Sequence, residues 1–112
     1  MSKYHNYKTT VDGIRFDSQL EAKRYSELKI MEKAGAIQNL ERQFKFELQE
    51  SFKKNGKTIR AITYVADFVY YDVYLKKVIV EDAKGMETDV YKLKKKMFEY
   101  KYPDLEITEI RR

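Results

Sequence analysis

Two β-type runs carry charged residues where a buried sheet ordinarily admits none, and this restricts the chain more than any other feature. Tyr64-Val65-Ala66-Asp67-Phe68 and Val78-Ile79-Val80-Glu81-Asp82-Ala83-Lys84-Gly85 are rich in residues that fit a pleated, half-buried surface. A turn over Val73 to Lys76 predicts an antiparallel hairpin in which Tyr71 faces Val78, Val69 faces Val80 and Asp67 faces Asp82. Side chains alternate along a strand, so this register sets Asp67, Asp82 and Lys84 on one side of the sheet. Two carboxylates opposed at about 5 Å repel each other, and such a pair needs a bound cation, a shared proton or a neighbouring positive group. A divalent metal with Lys84 beside it meets the first and third needs together. Alternation puts Glu81 on the other face unless a bulge exchanges it with Asp82, which makes Glu81 the reserve ligand.

The 112 residues predict a single domain, 1–112, long enough for one core. Cysteine is absent, which excludes disulfides, thiolate metal sites and a cysteine nucleophile. His5 is the single histidine and lies in the N-terminal arm, so a histidine-based metal site or triad has little to rest on. No apolar run approaches a membrane span, and Met-Ser-Lys-Tyr-His-Asn-Tyr-Lys has no signal-peptide core. The expectation is a cytoplasmic protein without a membrane partner. The net charge of +5 favours polyanionic partners.

Residues 1–12 are expected to be a flexible arm ending in the Asp12-Gly13 turn signal. Ser18 and Glu21 have capping-box spacing and Gly35 follows Ala34, which predicts a helix over 18–34. Alternation of Phe44, Phe46 and Leu48 with polar residues predicts a strand over 43–48, and Asn55-Gly56 is a hairpin turn dipeptide. Further strands are expected over 59–71 and 77–83. Thr88 caps a second helix to about Tyr100, with Val90, Leu93 and Met97 on one face and Tyr91 and Phe98, expected in the core rather than as stacking platforms, beside them, before Pro103 and a last strand over 105–110. The predicted class is α+β, in the order helix, three antiparallel strands, helix, strand.

On the first helix, at about 100° per residue, Glu21 falls between Leu28 and Tyr25 on the apolar stripe. Either it completes the capping box with Ser18 or its carboxylate serves a site, and the two roles are compatible. Arg24 shares the stripe and could snorkel or neutralise a carboxylate. Lys84 could equally be a buried partner of Asp82, and Asp67 a partner of a core lysine. Lys92, Lys95 and Lys96 form either a solvated face or, with Lys92 and Lys96 at i, i+4, a track for a phosphate backbone. Tyr4, Tyr7, Tyr70, Tyr71 and Tyr74 are candidate exposed aromatics for an interface.

A helix glutamate, a strand aspartate and an Asp-x-Lys in the paired strand, followed by a helix and a strand, resemble the PD-(D/E)XK nuclease superfamily over nearly the whole chain. More closely, Val11-Asp12-Gly13-Ile14-Arg15-Phe16-Asp17-Ser18 with Glu21, then Ala34-Gly35-Ala36-Ile37 and Gln43, is similar to small phage and prophage proteins of unassigned function grouped with junction-resolving enzymes. Ala66 replaces the proline of the superfamily motif, and Asp82 replaces the more frequent glutamate, shortening that ligand by one methylene. The resemblance implies a restriction-endonuclease-like core, a mixed central sheet flanked by helices. It also implies Glu21, Asp67, Asp82 and Lys84 as catalytic residues, with Asp67, Asp82 and Glu21 as ligands of Mg²⁺ or Mn²⁺. Branched or duplex DNA is the implied substrate, cut to a 5′-phosphate and a 3′-hydroxyl by a homodimer. The alternative is a non-catalytic nucleic-acid-binding or phage interaction module that keeps the fold.

Overall fold

The structure is a computed structural model that describes residues 9–83 and 87–111. Lys84, Gly85, His5, Tyr4, Tyr7 and residues 1–8 of the expected arm lie outside the described residues. Two short strands, β1 (Thr9–Val11) and β2 (Ile14–Phe16), pair antiparallel around Asp12-Gly13. The expected flexible arm therefore gives way by Thr9 to a hairpin, held by Phe16 and Val11 packing against the first helix.

That helix, α1 (Gln19–Lys33), starts where the Ser18 side chain accepts the Glu21 N–H, satisfying one of the amides a helix leaves open at its N-terminus. It stops at Gly35, whose φ of +84° suits a residue without Cβ, with Ala36 N–H returning to the Met31 carbonyl and Gly35 N–H to Glu32. A four-stranded sheet follows, made of β3 (Ile37–Gln49), β6 (Ile62–Asp72), β7 (Lys77–Ala83) and β8 (Ile107–Ile110) in that spatial order. The first three are antiparallel and β8 runs parallel to β7, so the sheet is mixed. A parallel neighbour needs a crossover, which α2 (Asp89–Lys101) supplies. The class is α+β.

Two sequence expectations need correcting and one is met. The strand expected over 43–48 begins six residues earlier, at Ile37. The Asn55-Gly56 turn does close a hairpin, of β4 (Phe52–Lys54) and β5 (Lys57–Ile59), which forms a sheet of its own. On α2, Val90 and Leu93 are 62% and 60% exposed, so the face they share with Met97 is not the main packing face, whereas Tyr91 and Phe98 are buried as expected. Two aromatic side chains seven residues apart fill the space over Tyr64 and Phe46 better than the aliphatic trio could.

The sheet separates two cores. On the α1 side lie Phe16, Ala22, Tyr25, Leu28, Ile37, Phe68 and Tyr70. The other side holds Phe46, Leu48, Tyr64, Ala66, Val69, Val80, Tyr91, Phe98 and Ile107. Tyr64 and Phe68 are four apart in one strand yet face opposite cores, so β6 turns over between Ala66 and Phe68. Its partner does likewise: Phe44 packs with the α2 core, whereas the Arg42 guanidinium lies over the Phe16 ring, 4.5 Å from its centre. The two strands keep their register through this point, Arg42↔Phe68 and Phe44↔Ala66. Gln43, at φ +50°, and Asp67 are the residues at the turnover.

Candidate functional site

Glu21 projects from the first turn of α1 and is 9% exposed. Its backbone completes the cap, but its carboxylate turns to β3, accepting from Gln43 Nε2 at 3.3 Å and standing 3.5 Å from Arg42 Nη2. Burial pushes the Glu21 carboxyl above the usual range, the charge of Asp67 adds to the rise, and Arg42 opposes it. Gln43 Nε2 also donates to Asp67 Oδ1 at 3.0 Å, so one amide group bridges two carboxylates from distant parts of the chain. The second Asp67 oxygen accepts the Ala83 N–H at 2.8 Å. The turnover of β3 and β6 makes this possible, because it frees Gln43 and Asp67 from both cores.

Arg42 and Gln43 hold this cluster together, and the sequence reading gave neither a role in the site. Gln43 sits beside the alternating strand pattern and carries no periodic signal of its own. Arg42 Nε is buried without a hydrogen-bond partner among the described residues.

The two acidic residues of β7 go to opposite sides. Asp82, 3% exposed, accepts from the Tyr64 hydroxyl at 2.7 Å on the α2 side. Burial first, then the charge of Asp82, pushes the Tyr64 hydroxyl pKa up, which keeps it a donor. Glu81, 1% exposed, faces α1, where Arg24 donates from Nε at 2.8 Å and from Nη2 at 2.6 Å, and the Tyr70 hydroxyl donates to the same carboxylate. Arg24 thus neutralises a carboxylate, and the partner is Glu81. The pairing of β6 with β7 is continuous from Asp72↔Lys77 to Phe68↔Glu81, so no bulge exchanges Glu81 with Asp82. As a reserve ligand Glu81 is already engaged by three donors. Tyr70 is buried, which removes it from the candidate exposed aromatics; Tyr74 is exposed.

Glu21 and Asp67 are therefore brought together, Asp82 is engaged by Tyr64, and Lys84 directly follows the last described residue of β7. Among the described residues, no group of three or more His, Cys, Asp or Glu side chains is gathered closely enough to hold a metal ion. On α2, Lys92 and Lys96 are exposed, while Lys95 lies 3.7 Å from Glu109 of β8. Tyr91 donates to the same Glu109 at 2.6 Å. This bond, with Arg111 and Lys95 nearby, lowers the Glu109 carboxyl to about 2. Among the described residues, no helix is long and apolar enough to cross a membrane.

No curated protein and no solved structure matches this chain. A family model described as "Protein of unknown function (DUF1064)" matches residues 1–112, and the chain belongs to that family.

Proposed function

We propose that the protein is a metal-dependent endonuclease that hydrolyses phosphodiester bonds in DNA, of the type selective for branched substrates. The observation that carries this reading is the meeting of Glu21 and Asp67 across a single Gln43 amide, with Asp67 also accepting the Ala83 N–H at the end of β7. The order α1, three antiparallel strands, α2 and a parallel β8 is the order expected of a restriction-endonuclease-like core, and supports the same reading.

The donors fit the proposed ion in kind. Carboxylates and an amide are hard oxygen donors of the sort Mg²⁺ or Mn²⁺ prefers, and the raised Glu21 pKa marks a place where added positive charge is favourable. Asp67, Glu21 and Asp82 would hold it, with Asp82 leaving Tyr64. The ion supplies polarisation of a phosphodiester oxygen and a lowered pKa for bound water. Lys84 either orients that water or stabilises charge developing on the phosphorus. Exposed Lys92 and Lys96 contact the phosphate backbone. One site cuts one strand, so cutting both strands of a junction requires a two-fold dimer.

A second reading is a binding module without catalysis. It is favoured by the engagement of Asp82 by Tyr64. Incubation of pure protein with end-labelled duplex, flap and four-way-junction DNA, with and without Mn²⁺, separates the two. Nuclease action predicts Mn²⁺-dependent products that Asp67→Asn and Lys84→Ala abolish. Uncut DNA at every Mn²⁺ concentration, with binding intact, supports the module.

A further inference from the structure

The β4–β5 hairpin stands outside both cores. Every residue of its strands is exposed, and it forms a sheet of its own beyond the ends of β3 and β6. Burial does not account for its sequence, so its surface chemistry must. From Ser51 to Ala66 the chain has four cations, Lys53, Lys54, Lys57 and Arg60, and no carboxylate. None of the four is in an ion pair among the described residues.

The register sharpens this charge. Lys54 lies directly opposite Lys57, on the face that also carries the Phe52↔Ile59 pair, while Lys53↔Thr58 occupies the other face. Like charges opposed across a hairpin destabilise it. Such a pair beside the tight Asn55-Gly56 turn becomes favourable when an anion lies between or over the two ammonium groups.

We propose that this hairpin is a wing that enters the major groove of duplex DNA, with Lys54 and Lys57 contacting phosphates. The groove admits a two-stranded β-ribbon, whereas a flat anionic surface would leave one of its two charged faces unused. Asp67 is ten residues on from Lys57 at the tip of the wing, which puts the two within about 33 Å of each other at ~3.3 Å per residue. That span is close to one duplex turn of about 34 Å. One bound duplex can therefore occupy the wing and the carboxylate cluster together. The proposal rests on nucleic acid as the partner of the Glu21–Asp67 site, but not on cleavage there.

The test is fluorescence anisotropy of a labelled 20-base-pair duplex, and of one of its strands alone, in EDTA over a salt series. The Lys54→Ala/Lys57→Ala variant should bind the duplex at least about fivefold more weakly, with a log-log salt slope shallower by about 1.8, the value for two lost phosphate contacts. Its melting temperature should stay level or rise, since a repulsion has been removed. Lys33→Ala/Lys77→Ala, at the C-terminal turn of α1 and the start of β7, carries the same charge change away from the wing and should bind like wild type. Equal loss in both double variants would reduce the effect to net charge and overturn the wing. So would unchanged binding by Lys54→Ala/Lys57→Ala, no duplex binding by the wild type at low salt, or single strand bound as tightly as duplex. Because EDTA is present, an inactive nuclease site leaves every one of these outcomes unaffected.

Discussion

The Ala83 N–H donates to Asp67 Oδ2 at 2.8 Å, so a side chain of β6 ties down the backbone of β7 one residue before Lys84. The bond forms where the β6–β7 pairing has just ended at Phe68↔Glu81. Asp67 is thus both a candidate ligand and a brace for the segment that carries the candidate lysine.

Substitutions at Asp67 should separate these roles. Asp67→Ala removes the acceptor of the Ala83 N–H and should cost about 1–3 kcal/mol, whereas Asp67→Asn retains an acceptor oxygen and should cost less. Millimolar Mn²⁺ should raise the wild-type melting temperature, because an ion bound by the native state alone adds stability. Asp67→Asn should blunt that rise. Thermal melts with and without Mn²⁺ check both points, and a wild type indifferent to the ion would remove the metal from the site.

The Glu21 carboxyl makes a signed prediction about pH. Its pKa is raised above 4.5 by burial and by Asp67, so the folded protein holds that proton to higher pH than the unfolded chain does. The burial penalty is absent below about 4.5 and fully present above the folded value, so stability from this group falls as pH rises through that window. Glu21→Gln should flatten this fall and melt higher at pH 7, while Mn²⁺-dependent cleavage drops by about tenfold or more. Normal cleavage with raised stability would return Glu21 to a purely structural role.

Glu109 acts in the opposite direction. Held at about 2 against an ordinary 4.5 by the Tyr91 hydroxyl first, then by Arg111 and Lys95, it contributes stability that is complete above 4.5 and lost as pH falls toward 2. Tyr91→Phe removes the largest of these causes. Its acid-unfolding midpoint should move to higher pH, with a loss near neutrality of about 1 kcal/mol, measured by circular dichroism across a pH series.

Breaking the Arg24–Glu81 pair should be the most damaging of these changes to stability. Glu81 is 1% exposed, and Arg24→Met leaves its charge with the Tyr70 hydroxyl as the remaining donor, at a cost of about 3 kcal/mol. Arg24→Met/Glu81→Leu removes both charges and should recover most of the loss, since a buried pair can be exchanged for apolar contact at little cost. Urea unfolding of the single and double variants tests this, and a double variant no more stable than the single would deny the coupling.

Local chemistry was enough to place much of this molecule. The Ser18 cap and the Gly35 stop delimit α1, and the turn over 73–76 sets the β6–β7 register through Tyr71↔Val78 and Val69↔Val80 as expected. These features depend on neighbours in the chain, where backbone sterics and alternation act. The same alternation could not disclose the turnover at Gln43 and Asp67. Tyr64, Ala66, Phe68 and Tyr70 have one parity and are all buried, so their pattern looks like a single face although it serves two cores. Nor could it assign partners among like residues: Glu81 to Arg24, Asp82 to Tyr64, and Glu21 to Asp67 through Gln43. A charged side chain in a strand announces only that it needs compensation. Which group compensates it depends on what the packing of α1 and α2 against opposite faces brings within hydrogen-bond reach.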